Sequence, residues 1–318
     1  MSTRSNTEPD TKVRAPETRL FEHYDLRHAE RLVEVHQPAV TVRVIEVDGD
    51  RDQPPIVLLH GIASATVVAV PLMSQLRGRR IIAIDWPGHG LSGPCVLHRN
   101  DSIRNHAVSV IAAVVYSFGV TTVDLVGHSM GGQFGLYYAL AEPDRVRRLV
   151  LLGAPGAGFV EVRPSPIMRA LAVPGLGRML LRMPMSQKQY SRNNDAMLGK
   201  GVLDSHPSEI AEAGYHAARR HGFAPSVSSF FRSFITPFRV RADTAVSHEA
   251  LASLAIPTLL VWGDKDIFLT PVDGQPSIDS IRDATVLVVS GGHAPWLDEL
   301  DRCGTTIASF LAAKANHL

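Results

Sequence analysis

The sequence predicts an α/β fold: a mostly parallel eight-stranded sheet with helices on both faces and a helical cap inserted after the sixth strand. Three observations carry this. Runs such as Ile56-Val57-Leu58-Leu59, Ile81-Ile82-Ala83-Ile84 and Leu149-Val150-Leu151-Leu152 are apolar on both faces, as parallel strands covered by helices must be. They alternate with longer stretches of helical periodicity. The alternation stops after Pro155 and resumes at Ile256.

In chain order, residues 1–30 are charge-rich, hold two prolines and read as a poorly ordered N-terminal tail. A hairpin over 31–35 and 41–47 opens the core, followed by strands at 56–60, 80–85, 123–127 and 146–153 and helices at 64–76, 102–118 and 130–140. Residues 31–155 and 251–318 form the core, and 156–250 form the cap. The cap carries helical patterns at 167–181, 207–221 and 226–238, punctuated by prolines and glycines, and is expected over one edge of the sheet. A strand at 256–262, a helix from about Thr270, a strand at 284–289 and a helix to about Ala313 complete the core.

Composition excludes several classes. The 318 residues are 45% hydrophobic, and 32 basic side chains nearly balance 31 acidic ones, so no strong field exists to hold a nucleic acid. Two cysteines, Cys95 and Cys303, are too few for a disulfide scaffold and lack zinc-ligand spacing, which fits a reducing compartment. No apolar run approaches the roughly 18 residues of a membrane span, and the charged N-terminus has no signal-peptide core. The expectation is a cytoplasmic protein with a small-molecule substrate, no nucleic-acid partner and no membrane span. Its oligomeric state is left open, a homodimer included.

The sharpest motif is Gly127-His128-Ser129-Met130-Gly131-Gly132, which follows a strand pattern and opens a helical one. A serine at such a turn is strained with its hydroxyl exposed, and the flanking glycines let neighbouring backbone approach. G-x-S-x-G also serves as a plain tight turn, but the strand before, the helix after and the third glycine favour a nucleophile. Serine at its free pKa is a poor nucleophile, so Ser129 needs a base within hydrogen-bond reach and that base needs an orienting carboxylate. Fourteen histidines compete for the first role. His293 stands in a Gly-Gly-His turn just past the last strand, His128 lies inside the elbow, and His60 reads as a satisfied turn or core histidine. The loop after strand 256–262 offers two carboxylates, Asp264 and Asp266.

Five motifs occur in order: His60-Gly61, the run from Asp85-Trp86-Pro87-Gly88 to Ser92, the elbow, Gly263-Asp264-Lys265-Asp266, and Gly291-Gly292-His293. Over about residues 32–315 the chain thereby resembles an α/β-hydrolase-fold enzyme with a helical cap. The resemblance implies Ser129 as nucleophile, His293 as base and Asp266 as the triad acid, which leaves Asp264 as a loop residue. The chain departs from the family pattern at Thr270, where proline is frequent. The resemblance also places the oxyanion donors at the backbone N–H groups of Ile62 and Met130, their side chains being free to line the pocket floor. Ile62 gives no support to a halide-binding, Asp-nucleophile or specialised C–C-cleaving member. The segment 85–92 reads as a structural turn.

Phe230, Phe234 and Phe238 share one helical face in the insert. They either pack the cap on the sheet or, with Met168, Met179 and Met183, line a tunnel for an apolar substrate; Phe230, Phe234 and Met168 are the expected pocket residues. The cap holds twelve Lys and Arg against seven Asp and Glu, which reads first as solvated surface. The expected function is a serine hydrolase, esterase- or lactonase-like, acting on a small to medium apolar substrate through an acyl-enzyme with no cofactor or metal. Two alternatives stand beside it: a C–C hydrolase of a vinylogous diketone with the same triad, and a receptor-like protein with little turnover.

Overall fold

The computed structural model describes residues 8–236 and 238–313. Helix α1 (Glu8–His23) precedes a hairpin of β1 (His28–His36) and β2 (Ala39–Val47). Then follow β3 (Ile56–Leu59), α2 (Val70–Gln75), β4 (Ile81–Ile84), α3 (Ile103–Ser117), β5 (Val123–His128), α4 (Met130–Ala141) and β6 (Val146–Leu152). Six helices come next: α5 (Pro166–Ala172), α6 (Leu176–Arg182), α7 (Gln187–Leu198), α8 (Glu209–Ala217), α9 (Phe223–Phe234) and α10 (His248–Ala252). The chain closes with β7 (Thr258–Gly263), α11 (Gln275–Ser280), β8 (Ala284–Val289), α12 (Pro295–Asp298) and α13 (Leu300–Ala312).

The strands form one eight-stranded sheet in the order β1-β2-β4-β3-β5-β6-β7-β8, antiparallel from β1 to β4 and parallel thereafter. The period of two in strand side chains divides the core between its faces. Ile56, Leu58, Ile81 and Ala83 pack against α2 and α13 on one face, while Val57, Leu59, Ile82 and Ile84 pack against α3 and α4 on the other. This is the parallel architecture read from the two-faced apolar runs. Among the described residues no helix is long and apolar enough to cross a membrane.

The expected disordered tail is corrected from residue 8 onward; residues 1–7 lie outside the described residues. Helix α1 buries Val13, Pro16, Glu17, Leu20 and Phe21, a stripe at helical spacing. Two of those five positions are Pro16 and Glu17, so the apolar periodicity that signals a helix is broken in the sequence although the face is continuous in space. Burying Leu20 and Phe21 contributes about 1.5–3 kcal/mol each. Glu17 is tolerated because it meets Arg43 of β2 through two hydrogen bonds of 3.0 and 2.7 Å. Across its outer side, Arg19 pairs with Glu209 and Glu212 of α8, and Asp10 with Arg220, so α1 bridges the sheet and the inserted helices.

Arg43 is the centre of a buried polar hub. Its guanidinium also reaches Glu30 at 2.8 Å and Asp85 at 3.1 Å, and its backbone N–H donates to Ser92 Oγ at 2.8 Å. Asp85 in turn accepts from the N–H groups of Thr66 and Leu91. Although burial alone would raise its pKa, Arg43 and these donors hold Asp85 down to about 2. The 85–92 segment is therefore structural, as its glycine-rich sequence implies, and its carboxylate is what fixes it.

Beside the hub, His89 and His106 are buried against Phe230. His89 Nε2 and both ring nitrogens of His106 have no hydrogen-bond partner among the described residues. Burial brings His89 down to about 3 and, against a nearby Asp101, His106 to about 4. Because these values lie below the roughly 6.5 of an unfolded histidine, the unfolded chain binds the protons more tightly. The stability is complete above about pH 6.5 and is lost as pH falls toward the folded values. His106→Leu should lose less stability than the wild type between pH 7 and pH 4.5, by on the order of 2 kcal/mol in urea titrations. An identical pH response in both proteins would contradict the assignment.

Candidate active site

Ser129 stands between β5 and α4 at φ 52°, ψ −120°, a conformation non-glycine residues rarely adopt. It persists because its surroundings over-determine it. The Ser129 N–H donates to Leu152 O of β6 at 3.2 Å, and its carbonyl accepts from Gln133 N. Glycine is required at 131, where a Cβ would stand 2.2 Å from Leu59 O of β3. The helix thus starts hard against the sheet, as the elbow motif demands.

His293 follows β8, and its Nδ1 lies 2.8 Å from Asp266 Oδ2. Asp266 also accepts from Ala154 N and Phe268 N, both at 2.9 Å. Burial alone would raise the Asp266 pKa, but the His293 charge and these three donors hold it below the usual carboxylate range. An ionised carboxylate only accepts, so the proton of the pair sits on Nδ1, and Nε2 is the ring nitrogen not taken up by Asp266. Asp264 is elsewhere occupied, accepting from Gly291 N at 3.0 Å and shaping the turn that carries His293. Between the two candidate carboxylates, only Asp266 reaches the imidazole.

Two other histidines flank Ser129 without competing. His60 accepts from Trp86 N at Nε2 and bonds Gly61 O through Nδ1, which makes it the satisfied turn histidine expected from its position. His128 donates from Nε2 to the His293 backbone carbonyl at 3.0 Å, and burial lowers its pKa well below the ordinary range. A neutral His128 therefore braces the loop of His293, a role its place in the elbow did not announce.

The two expected oxyanion amides come from separate parts of the chain, the start of α4 and the turn after β3. Met130 is the first residue of α4, so its N–H has no intrahelical acceptor. Ile62 belongs to the turn after β3, where Ala63 also takes a positive φ of 58°. Among the described residues no hydrogen bond takes up the N–H of Ile62 or Met130. Asp85 braces this turn from below through Thr66 N.

Ser129, His293, Ile62 and Ala63 line one cavity of about 90 Å³ at the carboxyl ends of β3 and β5. Its outer wall comes from α7 and α8, through Tyr190, Asn194, Met197, Leu198 and Ile210. This corrects the expected pocket. Phe230 and Phe234 are buried in the core against Phe134, and Met168 packs beside them, all away from the cavity lining. The Met130 side chain is likewise core, not floor. The stripe at 230 and 234 is the packing face of α9. Helix α7 escaped notice because its sequence is polar, yet its start was legible: Ser186 and Gln189 form a capping box. Its end is pinned to the base, since Ala294 N donates to Leu198 O and Gly292 packs on Gly199.

Residues 54–185 match the family model described as alpha/beta hydrolase fold. The chain belongs to this family and is a hydrolase. Within it, the chain is 30% identical over 271 residues to the 2-hydroxymuconate semialdehyde hydrolase of Pseudomonas sp. (strain CF600), covering 81% of this chain and 87% of that one. It is 26% identical over 294 residues to the 2-hydroxy-6-oxononadienedioate/2-hydroxy-6-oxononatrienedioate hydrolase of Escherichia coli (strain K12), covering 89% and 95%. A carboxylesterase of Bacillus subtilis superposes with a TM-score of 0.75 over 96% of this chain and 99% of that one, at 18% identity, and so shares the fold.

Gly153, at the end of β6, has φ 64°, and a Cβ there would stand 2.4 Å from His293 O and 3.2 Å from Asp266 Oδ2. The hydrogen-bonded Nδ1 proton of His293 should give a far-downfield NMR resonance that vanishes in Asp266→Ala and shifts or vanishes in Gly153→Ala. Persistence of the resonance in Asp266→Ala would contradict the pairing.

Proposed function

We propose that this protein is a serine hydrolase in which Ser129 attacks a substrate carbonyl, His293 takes the Ser129 proton, and Asp266 orients His293 and stabilises its cation. The observation that carries the proposal is the 2.8 Å pairing of His293 with Asp266 beside a Ser129 strained into the same cavity. The N–H groups of Ile62 and Met130 receive the negative charge that forms on the carbonyl oxygen; one such donor is worth about 3–4 kcal/mol in comparable sites. His293 then returns the proton to the leaving group, and water releases the acyl-enzyme by the same path reversed.

For the bond cleaved, the relatives at 26–30% identity support a C–C bond next to a ketone in a vinylogous diketone. In that reaction the electron pair of the breaking bond enters the conjugated carbonyl and the carbon takes the proton from His293. Ile62, which lends this chemistry no support of its own, does not oppose it. A second reading, a carboxylic ester or lactone, is favoured by the cavity wall. The relative from Escherichia coli is named for a dioate, a dicarboxylate, whereas among the described residues no Lys, Arg, Asp or Glu lines the cavity here. A wall of Ile62, Ala63, Val67, Val68 and Leu198 suits an uncharged group, and the cavity is small beside the 300–1,000 Å³ common for ligand pockets. On either reading, the part of the substrate that reaches Ser129 is short and neutral.

Steady-state kinetics separate the readings. A vinylogous 6-oxo-dienoate turned over with higher kcat/KM than a short-chain nitrophenyl ester supports C–C hydrolysis, and the reverse order supports the ester. Ser129→Ala should lower kcat by at least about 10⁴-fold on the preferred substrate. A variant that retains wild-type turnover would overturn both readings, while labelling of Ser129 by a fluorophosphonate without turnover of either substrate would favour the receptor-like alternative.

A further inference from the structure

Two methionines that the sequence suggested for a substrate tunnel, Met179 and Met183, face solvent at 57% and 51% exposure. Ile167 is 55% exposed and Leu176 also lies open, so the α5–α6 hairpin presents an exposed apolar face. Its geometry is set from beneath. Gly177 of α6 is buried, with room for no side chain against Leu171 O and Ser228 Oγ, which turns Leu176, Met179 and Met183 outward at positions i, i+3 and i+7. Arg178 and Arg182 alternate with them and share a shallow groove of about 510 Å³ with Gly175, Met179, Met183 and Pro184.

The charge around this face has one sign. From residue 162 to 200 there are seven basic side chains and a single acid, Asp195. All seven basic residues are exposed, while the Asp195 carboxylate is taken up by Gly201 N and Leu203 N. Among the described residues, the ion pairs of the inserted segment fall elsewhere, at α8, Arg220, Arg241 and His248. The near-neutral total thus conceals a basic surface whose charges have no acidic partner among the described residues.

We propose that the α5–α6 face docks on an anionic lipid bilayer surface. Outward Met, Leu and Ile side chains interleaved with Arg suit the boundary between lipid headgroups and acyl chains, where apolar atoms enter and guanidinium groups meet phosphates. A second copy of this chain does not suit the face, because its basic residues would oppose one another. The docked hairpin leads through residues 183–186 into α7, whose Tyr190, Asn194 and Met197 wall the cavity, so the surface adjoins the site in the chain. This inference is independent of which bond the hydrolase cleaves.

Cosedimentation of the full chain with vesicles provides the test. The wild type should bind phosphatidylcholine vesicles containing phosphatidylglycerol, bind pure phosphatidylcholine weakly, and be released by salt. Arg178→Gln with Arg182→Gln should weaken binding to the anionic vesicles about thirtyfold. Met179→Asp with Met183→Asp should weaken it as well, and circular dichroism should show both variants folded. Equal binding to the two vesicle types, or binding unchanged in both variants, would overturn the proposal. So would failure on anionic vesicles together with retention on immobilised polyglutamate, which would assign the face to an acidic protein.

Discussion

One buried guanidinium, that of Arg43, holds together parts of the chain that are far apart in sequence. It joins α1 through Glu17, β1 through Glu30 and the turn after β4 through Asp85. Its backbone is engaged too, through Ser92 Oγ and the N–H of Asp85. Removing one partner from such a buried cluster commonly costs about 3–5 kcal/mol, because the remaining charges stay buried without compensation. The cluster reaches the site through Asp85, which accepts from Thr66 N and so fixes the turn carrying Ile62 and Ala63. A buried charge network thereby helps to set the position of the Ile62 amide, far from Ser129 in sequence, through the backbone of this turn.

The site itself is a set of local conflicts resolved by packing. Ser129 and Ala63 both hold positive φ values, and each sits where the chain leaves a parallel strand. The triad pairing depends on close backbone approach at Gly153, and the loop of His293 is braced by a neutral His128 on one side and by the end of α7 on the other. Because α7 also walls the cavity, its position affects both access and the base. The inserted helices thus help to shape the candidate site itself.

Legibility in the sequence followed the range of the interactions involved. The parallel strands, the elbow and the order Ser129, Asp266, His293 depend on local patterns, and the sheet stands where those patterns place it. Asp264 and Asp266 were separated only by the resemblance to a family, since both stand in one loop; the distances of 3.0 Å from Asp264 to Gly291 N and 2.8 Å from Asp266 to His293 Nδ1 put Asp266 alone against the imidazole. What the sequence concealed depended on partners distant in the chain. Glu17 interrupts the apolar stripe of α1 unless Arg43 is known to face it. Phe230 and Phe234 form an apolar stripe whether they face substrate or Phe134, and helical spacing alone does not tell the two apart. The polar α7 was concealed as well, since hydrophobic periodicity overlooks it, although the Ser186–Gln189 capping box is a local signal that marks its start.

The proposed chemistry requires Ser129 to become covalently acylated during turnover. Mass spectrometry of the protein quenched early in the reaction with a chromogenic short-chain ester tests this without reference to the natural substrate. The account predicts the acyl group on the peptide that contains Ser129, and none there in Ser129→Ala. Acylation at another residue, or turnover by the wild type with Ser129 never modified, would contradict it.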